Sequence, residues 1–318
     1  MEVIRDVNRL TYDKKSAVTV GTFDGVHLGH RKIIEKLNSV RDSKGLRSVI
    51  VTFDPHPQIV LRNRATDIKI LSTLEEKLEI FKELKVDTAF VINFTKEFSQ
   101  TTAGEFYNNY LINKIGLSDL ILGYDHMFGK NREGNFNTLK ELSVENKFTV
   151  DKVDEYKFEG QHISSTVLRD LLSNDGNVFK VSKILGRYYS IEGKVVEGKK
   201  LGRVLGFPTA NIEVADKYKL IPKTGIYTVL TEIEGKKYFG MMSIGSNPTV
   251  TDDESIKLEV NIFDFDENIY GKNIKVNFIE KLRDEKKFKS LDELTEQISK
   301  DKKLSLEITE KLENKINI

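Results

Sequence analysis

The chain reads as a two-domain α/β protein: a parallel sheet covered by helices, then a small antiparallel barrel with terminal helices. Three observations lead there. The 318 residues are about twice the usual domain length. The first half alternates short apolar runs with apolar stripes at helical spacing. After Gly186 the hydrophobic period falls to two.

The first element is a β-prone run at 17–20 that meets Gly21. From Gly29 a helix is expected, with Ile33, Leu37 and Val40 on one face. Residues 48–53 form a second strand, stopped by Pro55 and Pro57. Leu74, Leu78, Phe81 and Leu84 mark another helix, and 88–92 another strand. A helix with Phe106, Tyr107 and Tyr110 leads to a strand at 119–122. This βαβα order implies a parallel sheet with helices on both faces. Its strands are apolar throughout because they are buried on both sides. The turn cluster Asn174-Asp175-Gly176-Asn177 precedes a boundary at 176–186, giving domains 1–181 and 182–318. Beyond it, Ile191, Gly193 and Val195 alternate with polar residues. Runs at 225–233 and 237–244 flank Glu234-Gly235, a hairpin signal. Strands at 258–265 and 273–279 continue the pattern, which suggests a barrel. Leu291, Leu294 and Ile298 then return to helical spacing.

Composition removes several classes of function. Lys plus Arg number 50 and Asp plus Glu 49, so the net charge is +1, without the basic excess of a dedicated nucleic-acid binder. There is no Cys, hence no disulfide, thiolate metal site, iron–sulfur cluster or Cys nucleophile. No apolar run approaches a membrane span, and the opening MEVIRDVNRL lacks the apolar core of a signal peptide. The expectation is a cytoplasmic protein with no nucleic-acid or membrane partner. Self-association stays open.

Residues 21–30 read GTFDGVHLGH and run from the first strand into the first helix. Gly21, Gly25 and Gly29 let backbone approach a ligand. A helix start offers free N–H groups to phosphate, and His27 and His30 can add donors there. The plainer alternative is a Gly turn with two capping or surface His. A zinc site lacks an evident third ligand. Further segments follow later strands: FDPHP at 53–57, GYDHMFGKNREG at 123–134 and ISSTVLRDLL at 163–172. In the last, Ser164 or Ser165 can cap a helix that carries Arg169, a residue able to grip phosphate with two parallel hydrogen bonds.

In the second half, GKKLGRVLGFPTANI at 198–212 places Gly198, Gly202 and Gly206 in a flexible loop beside Lys199, Lys200 and Arg203. Thr209 and Asn211 offer hard oxygens of the kind Mg²⁺ accepts alongside phosphates. In LEVNIFDFDENIYG at 258–271, Glu259, Asn261 and Phe263 share a strand face opposite Leu258, Val260 and Ile262. A carboxylate there can act as a general base, or be an ordinary solvent-facing residue.

These motifs resemble a known family. GTFDGVHLGH, VTFDPHP, GYDHMFG and ISSTVLR look like the nucleotidyltransferase module of the bacterial bifunctional riboflavin kinase/FMN adenylyltransferases, also called FAD synthetases. PTAN at 208–211, SIGSNPTV at 243–250, LEVNIFDFD and LRDEKKF at 282–288 look like its riboflavin kinase module. The resemblance implies a six-stranded barrel in the second domain. It implies that riboflavin is phosphorylated to FMN and FMN is adenylylated to FAD, with ATP as co-substrate and Mg²⁺ in both steps. Riboflavin, FMN, FAD and ATP/ADP are then the ligands. It implies His27 and His30 as catalytic groups on the ATP phosphates. Gly21, Phe23, Asp24, Gly25, Ser165, Thr166 and Arg169 are implied around the phosphates, and Gly198, Gly202 and Gly206 around those of the kinase. Asp125, Phe128 and Arg283 are implied at flavin, Thr209 and Asn211 at Mg²⁺, and Glu259 as the base. Two positions depart from the pattern: His126 stands where the family often has Phe, and Asn261 where many relatives carry His.

Two rivals remain in view. One keeps the nucleotidyltransferase and changes the acceptor, against which the PTAN and Glu259 motifs speak. The other is a flavin-binding regulator without catalysis, against which the intact His27, His30, Arg169, Thr209, Asn211 and Glu259 speak.

Overall fold

The computed structural model describes residues 1–13, 15–61, 69–124, 129, 136–198, 201–247 and 255–316, and the chain divides into two compact units, Met1–Ser165 and Thr166–Ile318.

The first unit opens with β1 (Glu2–Ile4), β2 (Ser16–Val20), α1 (Leu28–Lys44) and β3 (Arg47–Asp54). It continues through α2 (Pro57–Leu61), α3 (Leu74–Glu83), β4 (Thr88–Asn93) and α4 (Ala103–Phe106), which runs on as a π-helix over Tyr107–Ile115. β5 (Leu117–Leu122), α5 (Phe136–Asn146), β6 (Thr149–Lys152) and the hairpin of β7 (Lys157–Phe158) and β8 (Gln161–His162) complete it. α6 (Ser165–Asp170) begins on its last residue.

Six parallel strands form the sheet, in the order β1-β4-β3-β2-β5-β6. The edge strands β1 and β6 are additions to the expected set; they are short and mostly solvent-facing, so they carry little apolar signal. Side chains alternate between the two faces. Ala17 and Ile50 join Ile34, Leu37, Ile80 and Phe81 under α1 and α3. Val18, Val20, Val49 and Val51 join Phe106, Tyr107 and Leu111 on the other face. The apolar stripe of α1 is turned by one residue from expectation: Ile34, Leu37 and Val40 are buried, and Ile33 only packs at the edge. The chain runs from β2 outward through β3 to β4, then returns to β5 on the other side of β2. The carboxyl end of β2 therefore faces the crevice where strand order reverses, where open α/β sheets bind ligands.

The second unit holds α7 (Val178–Leu185), β9 (Tyr189–Val196), α8 (Leu201–Val204), β10 (Ala210–Glu213), β11 (Gly225–Ile233), β12 (Lys236–Asn247), β13 (Ser255–Ile262), β14 (Asn273–Arg283) and α9 (Leu291–Ile316). Its six strands close into an antiparallel barrel, ordered β10-β13-β12-β11-β14-β9. β11 and β12 are joined through Glu234-Gly235, with φ of 49° and 81°, the positive pair that a two-residue hairpin demands. Buried Ile191, Val195, Tyr227, Val229, Met242, Val260, Val276 and Phe278 build the core.

Two expectations are corrected here. The loop around Gly202 contains a helical turn, α8, closed by Phe207 N–H donating to the Gly202 carbonyl at 2.8 Å. And α9 does not bury the stripe of Leu291, Leu294 and Ile298: Leu291 is 58% exposed, whereas Asp301, Ser305 and Thr309 are buried. That face is polar because the barrel offers polar partners. Asp301 meets Arg283, and Ser305 Oγ lies 3.0 Å from Thr228 Oγ1.

Candidate functional site

In the first unit the turn after β2 is strained. Phe23, Gly25 and Val26 have φ of 50°, 80° and 38°. Glycine adopts this region freely, but for a β-branched Val it is an outlier that persists only when neighbours enforce it. They do so from several elements. Gly21 N–H donates to the Val51 carbonyl at 3.0 Å, and Val26 N–H to the Phe23 carbonyl at 3.0 Å. Asp24 Oδ1 accepts from the amides of Leu71 at 2.9 Å and Ser72 at 3.0 Å. Ser165 Oγ donates to the Asp24 carbonyl at 2.9 Å. The Thr22 carbonyl accepts from Lys77 Nζ at 3.1 Å and from Thr52 Oγ1 at 3.3 Å. Asp24 is thus buried and shapes the loop, and the Phe23 ring lies edge-on to His30 at 5.2 Å.

His27 caps α1: its Nδ1 accepts from His30 N–H at 3.3 Å. The two imidazoles stack, with centroids 3.7 Å apart and planes 16° from parallel. His30 Nδ1 is buried with no hydrogen-bond partner. Burial, then His27, then the Lys77 ammonium push its pKa well below 6.5. The ring is therefore neutral near pH 7, with donor capacity on one nitrogen.

That depression has a consequence for stability. Below about pH 6.5 the unfolded chain takes up a proton on this imidazole that the folded chain refuses, so stability is lost as pH falls through that range. His30→Gln is expected to flatten the fall in Tm of the first unit between about pH 7 and about pH 5. An equally steep fall in the variant would assign the acid sensitivity to another group.

Of the remaining expected residues, Asp125 and Phe128, with His126, lie outside the described residues. Ser164, one of the two expected cap residues, stands directly before α6, and Ser165 is its first residue, with its hydroxyl donating to the Asp24 carbonyl. Thr166 is exposed, and Arg169 is half-buried one turn into that helix.

The barrel brings a second set together. β10 pairs with β13 so that Asn211 stands opposite Glu259, which places their side chains on one face. Glu259 is paired with Lys257, and its side chain is 27% exposed. A Cβ on Gly198 would collide with the Asn211 amide, and one on Gly202 with the Phe207 carbonyl, 3.2 Å from Thr209 Oγ1. Both glycines thus let the loop lie against the proposed Mg²⁺ ligands. Gly206 has φ of 80° and lines a cavity of 410 Å³ with Phe207, Pro208, Asn261, Asp264 and Lys302. Asn261 is buried, and its Nδ2 donates to the Pro208 carbonyl at 2.6 Å, which fixes the PTAN segment to β13. Arg283, expected at flavin, is tied to its own unit by an ion pair. Its guanidinium grips Asp301 with Nε at 3.0 Å from both oxygens and Nη2 at 2.7 Å from one, while Nη1 donates to the Asp284 carbonyl. It ties α9 to the end of β14.

Sequence reasoning missed Lys77, Thr52 and the role of Asn261. Lys77 carried a signal: it sits three residues after Leu74 and four before Phe81, a cation in an apolar stripe.

A FAD synthetase family model matches residues 10–167, and a riboflavin kinase model matches 185–309. A protein of Listeria monocytogenes named bifunctional riboflavin kinase/FMN adenylyltransferase is 37% identical over 95% of each chain. The chain belongs to the bifunctional riboflavin kinase/FMN adenylyltransferase family. An Escherichia coli member of that name is 34% identical over 95% of this chain and 96% of its own. Among solved structures, one from Streptococcus pneumoniae described as a macrolide-efflux protein superposes with a TM-score of 0.87 at 31% identity, covering 95% of this chain and 97% of that one. Among the described residues, no helix is long and apolar enough to cross a membrane. The histidine turn falls inside the FAD synthetase match, and the Asn211–Glu259 pairing inside the riboflavin kinase match.

Proposed function

We propose that the barrel phosphorylates riboflavin and the α/β unit adenylylates the FMN so formed. The observation that carries this reading is the register of β10 on β13, which sets Asn211 beside Glu259 in the unit matching riboflavin kinase. There the terminal ribityl hydroxyl attacks the γ-phosphorus of ATP. The new O–P bond forms as the bond to the departing ADP breaks, and Glu259 takes the hydroxyl proton. Thr209 and Asn211 would hold Mg²⁺. The two offer neutral oxygens, a hydroxyl and an amide, and the Glu259 carboxylate stands opposite Asn211. That set fits an ion which keeps several waters and phosphate oxygens in its shell and which, once bound, neutralises phosphate charge. Asn261 positions these ligands through Pro208.

In the other unit an FMN phosphate oxygen attacks the α-phosphorus of a second ATP, and the bond to the departing pyrophosphate breaks. The attacking oxygen carries no proton that a base must remove. What the site must do is align the reactants and offset charge. His27 and His30 at the start of α1 serve the charge that develops, with the amides of the Gly21–Gly25 turn. Ser165, which ends this unit, serves the triphosphate. These substrates place the work in the cytoplasm.

We place the division of labour between residues 1–181 and 182–318. A fragment meant to fold alone must nevertheless keep α7 whole, because its buried face packs on β9 and β14. With ATP, Mg²⁺ and riboflavin, the full chain is expected to yield FMN and then FAD on a product chromatogram. A Thr166–Ile318 fragment should stop at FMN. A folded fragment that makes no FMN would remove the kinase from the barrel.

A further inference from the structure

Lys77 is a charged residue on the buried side of α3, 4% exposed, among Leu74, Ile80 and Phe81. A lysine in such a place forfeits hydration, and it needs partners that offset the loss. Its ammonium donates to the Thr22 carbonyl at 3.1 Å and reaches Thr52 Oγ1 at 3.4 Å. Thr22 lies in the strained turn, directly before Phe23 with its positive φ. Thr52 lies on β3 and donates to the same carbonyl. The three residues form a clasp between α3, β3 and the turn, on the side of the sheet that carries α1. We propose that Lys77 is a positioning residue for nucleotidyl transfer, its buried ammonium fixing the turn that receives the ATP phosphates.

This rests on the reading of the histidine turn as the adenylylation site. Charge and geometry agree with it. Burial lowers the Lys77 pKa from its ordinary value, and Asp24 in the turn, Asp54 at the end of β3 and Glu75 on α3 oppose that shift. A phosphate-binding turn with two non-glycine residues at positive φ relaxes once its anchors are removed. Relaxation moves the backbone donors and the start of α1 together, because both follow Thr22 within six residues.

The test uses the full chain, with FMN adenylylation and riboflavin phosphorylation measured on the same preparation. Lys77→Met keeps the length and removes the donor. It is expected to lower adenylylation kcat about a hundredfold, the loss that a displacement of about 1 Å in reacting groups can bring. KM for FMN and riboflavin phosphorylation should stay within about twofold of wild type, since neither depends on the turn. Lys77→Gln restores an N–H donor without the charge and should recover most of the lost kcat. Near-normal adenylylation in Lys77→Met, or a Lys77→Gln enzyme no better than Lys77→Met, would overturn the proposal. If Lys77→Met unfolds the first unit, Thr52→Val carries the test. It removes one of the two hydrogen bonds to the Thr22 carbonyl and should cost about fivefold in kcat. An unchanged kcat there overturns the clasp. His30→Ala is run alongside: full adenylylation in that variant sinks the site reading itself, whereas its loss beside an unaffected Lys77→Met sinks only the role of Lys77.

Discussion

Glu259→Gln is expected to slow riboflavin phosphorylation by about 10²–10⁴, the span that a positioned general base contributes. The acceptor is a primary alcohol whose proton must leave as the phosphoryl group arrives. Gln keeps the shape and the hydrogen-bonding reach, so the β10–β13 pairing and the face shared with Asn211 should survive. The partner Lys257 loses a half-exposed ion pair, which is worth little on its own. Fold and substrate binding should therefore be kept while proton transfer is lost. FAD formation from supplied FMN should continue in the other unit. Near-normal kinase turnover in Glu259→Gln would leave this carboxylate as an ordinary strand residue with a lysine neighbour.

His30→Ala is expected to cost roughly 10²–10³ in the adenylylation step, the size associated with losing one preorganised donor. The imidazole is half-buried, stacked on His27 and held neutral. It can donate toward developing phosphate charge without first giving up a proton. Alanine also removes the stacking partner of His27 and the edge contact of Phe23, so part of the loss comes through the turn. Riboflavin phosphorylation is the control. An equal fall in both activities would point to general misfolding, and an unchanged adenylylation rate would place the chemistry elsewhere.

Much of this architecture is legible in the sequence because its signals are local. Parallel strands such as β3 are buried from Ser48 to Phe53 and mostly apolar, and the hairpin at Glu234-Gly235 follows from two residues. The candidate sites stand in the sequence as motifs, and GTFDGVHLGH sits at the strand-order reversal where open α/β sheets bind ligands. What escaped depends on residues distant in sequence. Lys77 was hidden because its partners Thr22 and Thr52 lie on two other elements. The polar face of α9 was hidden because an apolar stripe is the expected docking surface, and Asp301 makes sense only beside Arg283. The one-residue turn of α1 has the same origin. Ile33 and Ile34 are equivalent in hydropathy, and the sheet beneath selects between them. The work of Asn261, holding the carbonyl of a proline 53 residues away, has no local signature at all.

The barrel closes through β10, four residues long, whereas its other strands have eight to twelve. Two register pairs join it to β13 and three to β9. Asn211 lies on this short strand, Thr209 stands directly before it, and Glu259 faces it. Such a seam can unzip locally while the long strands stay paired. Opening it would separate the proposed metal ligands from the base without dissolving the core of Tyr227, Val260 and Phe278. On the proposed assignment of Thr209, Asn211 and Glu259, catalytic competence in this unit is tied to the latch of the barrel, and kinase activity is expected to fall silent well before the barrel melts.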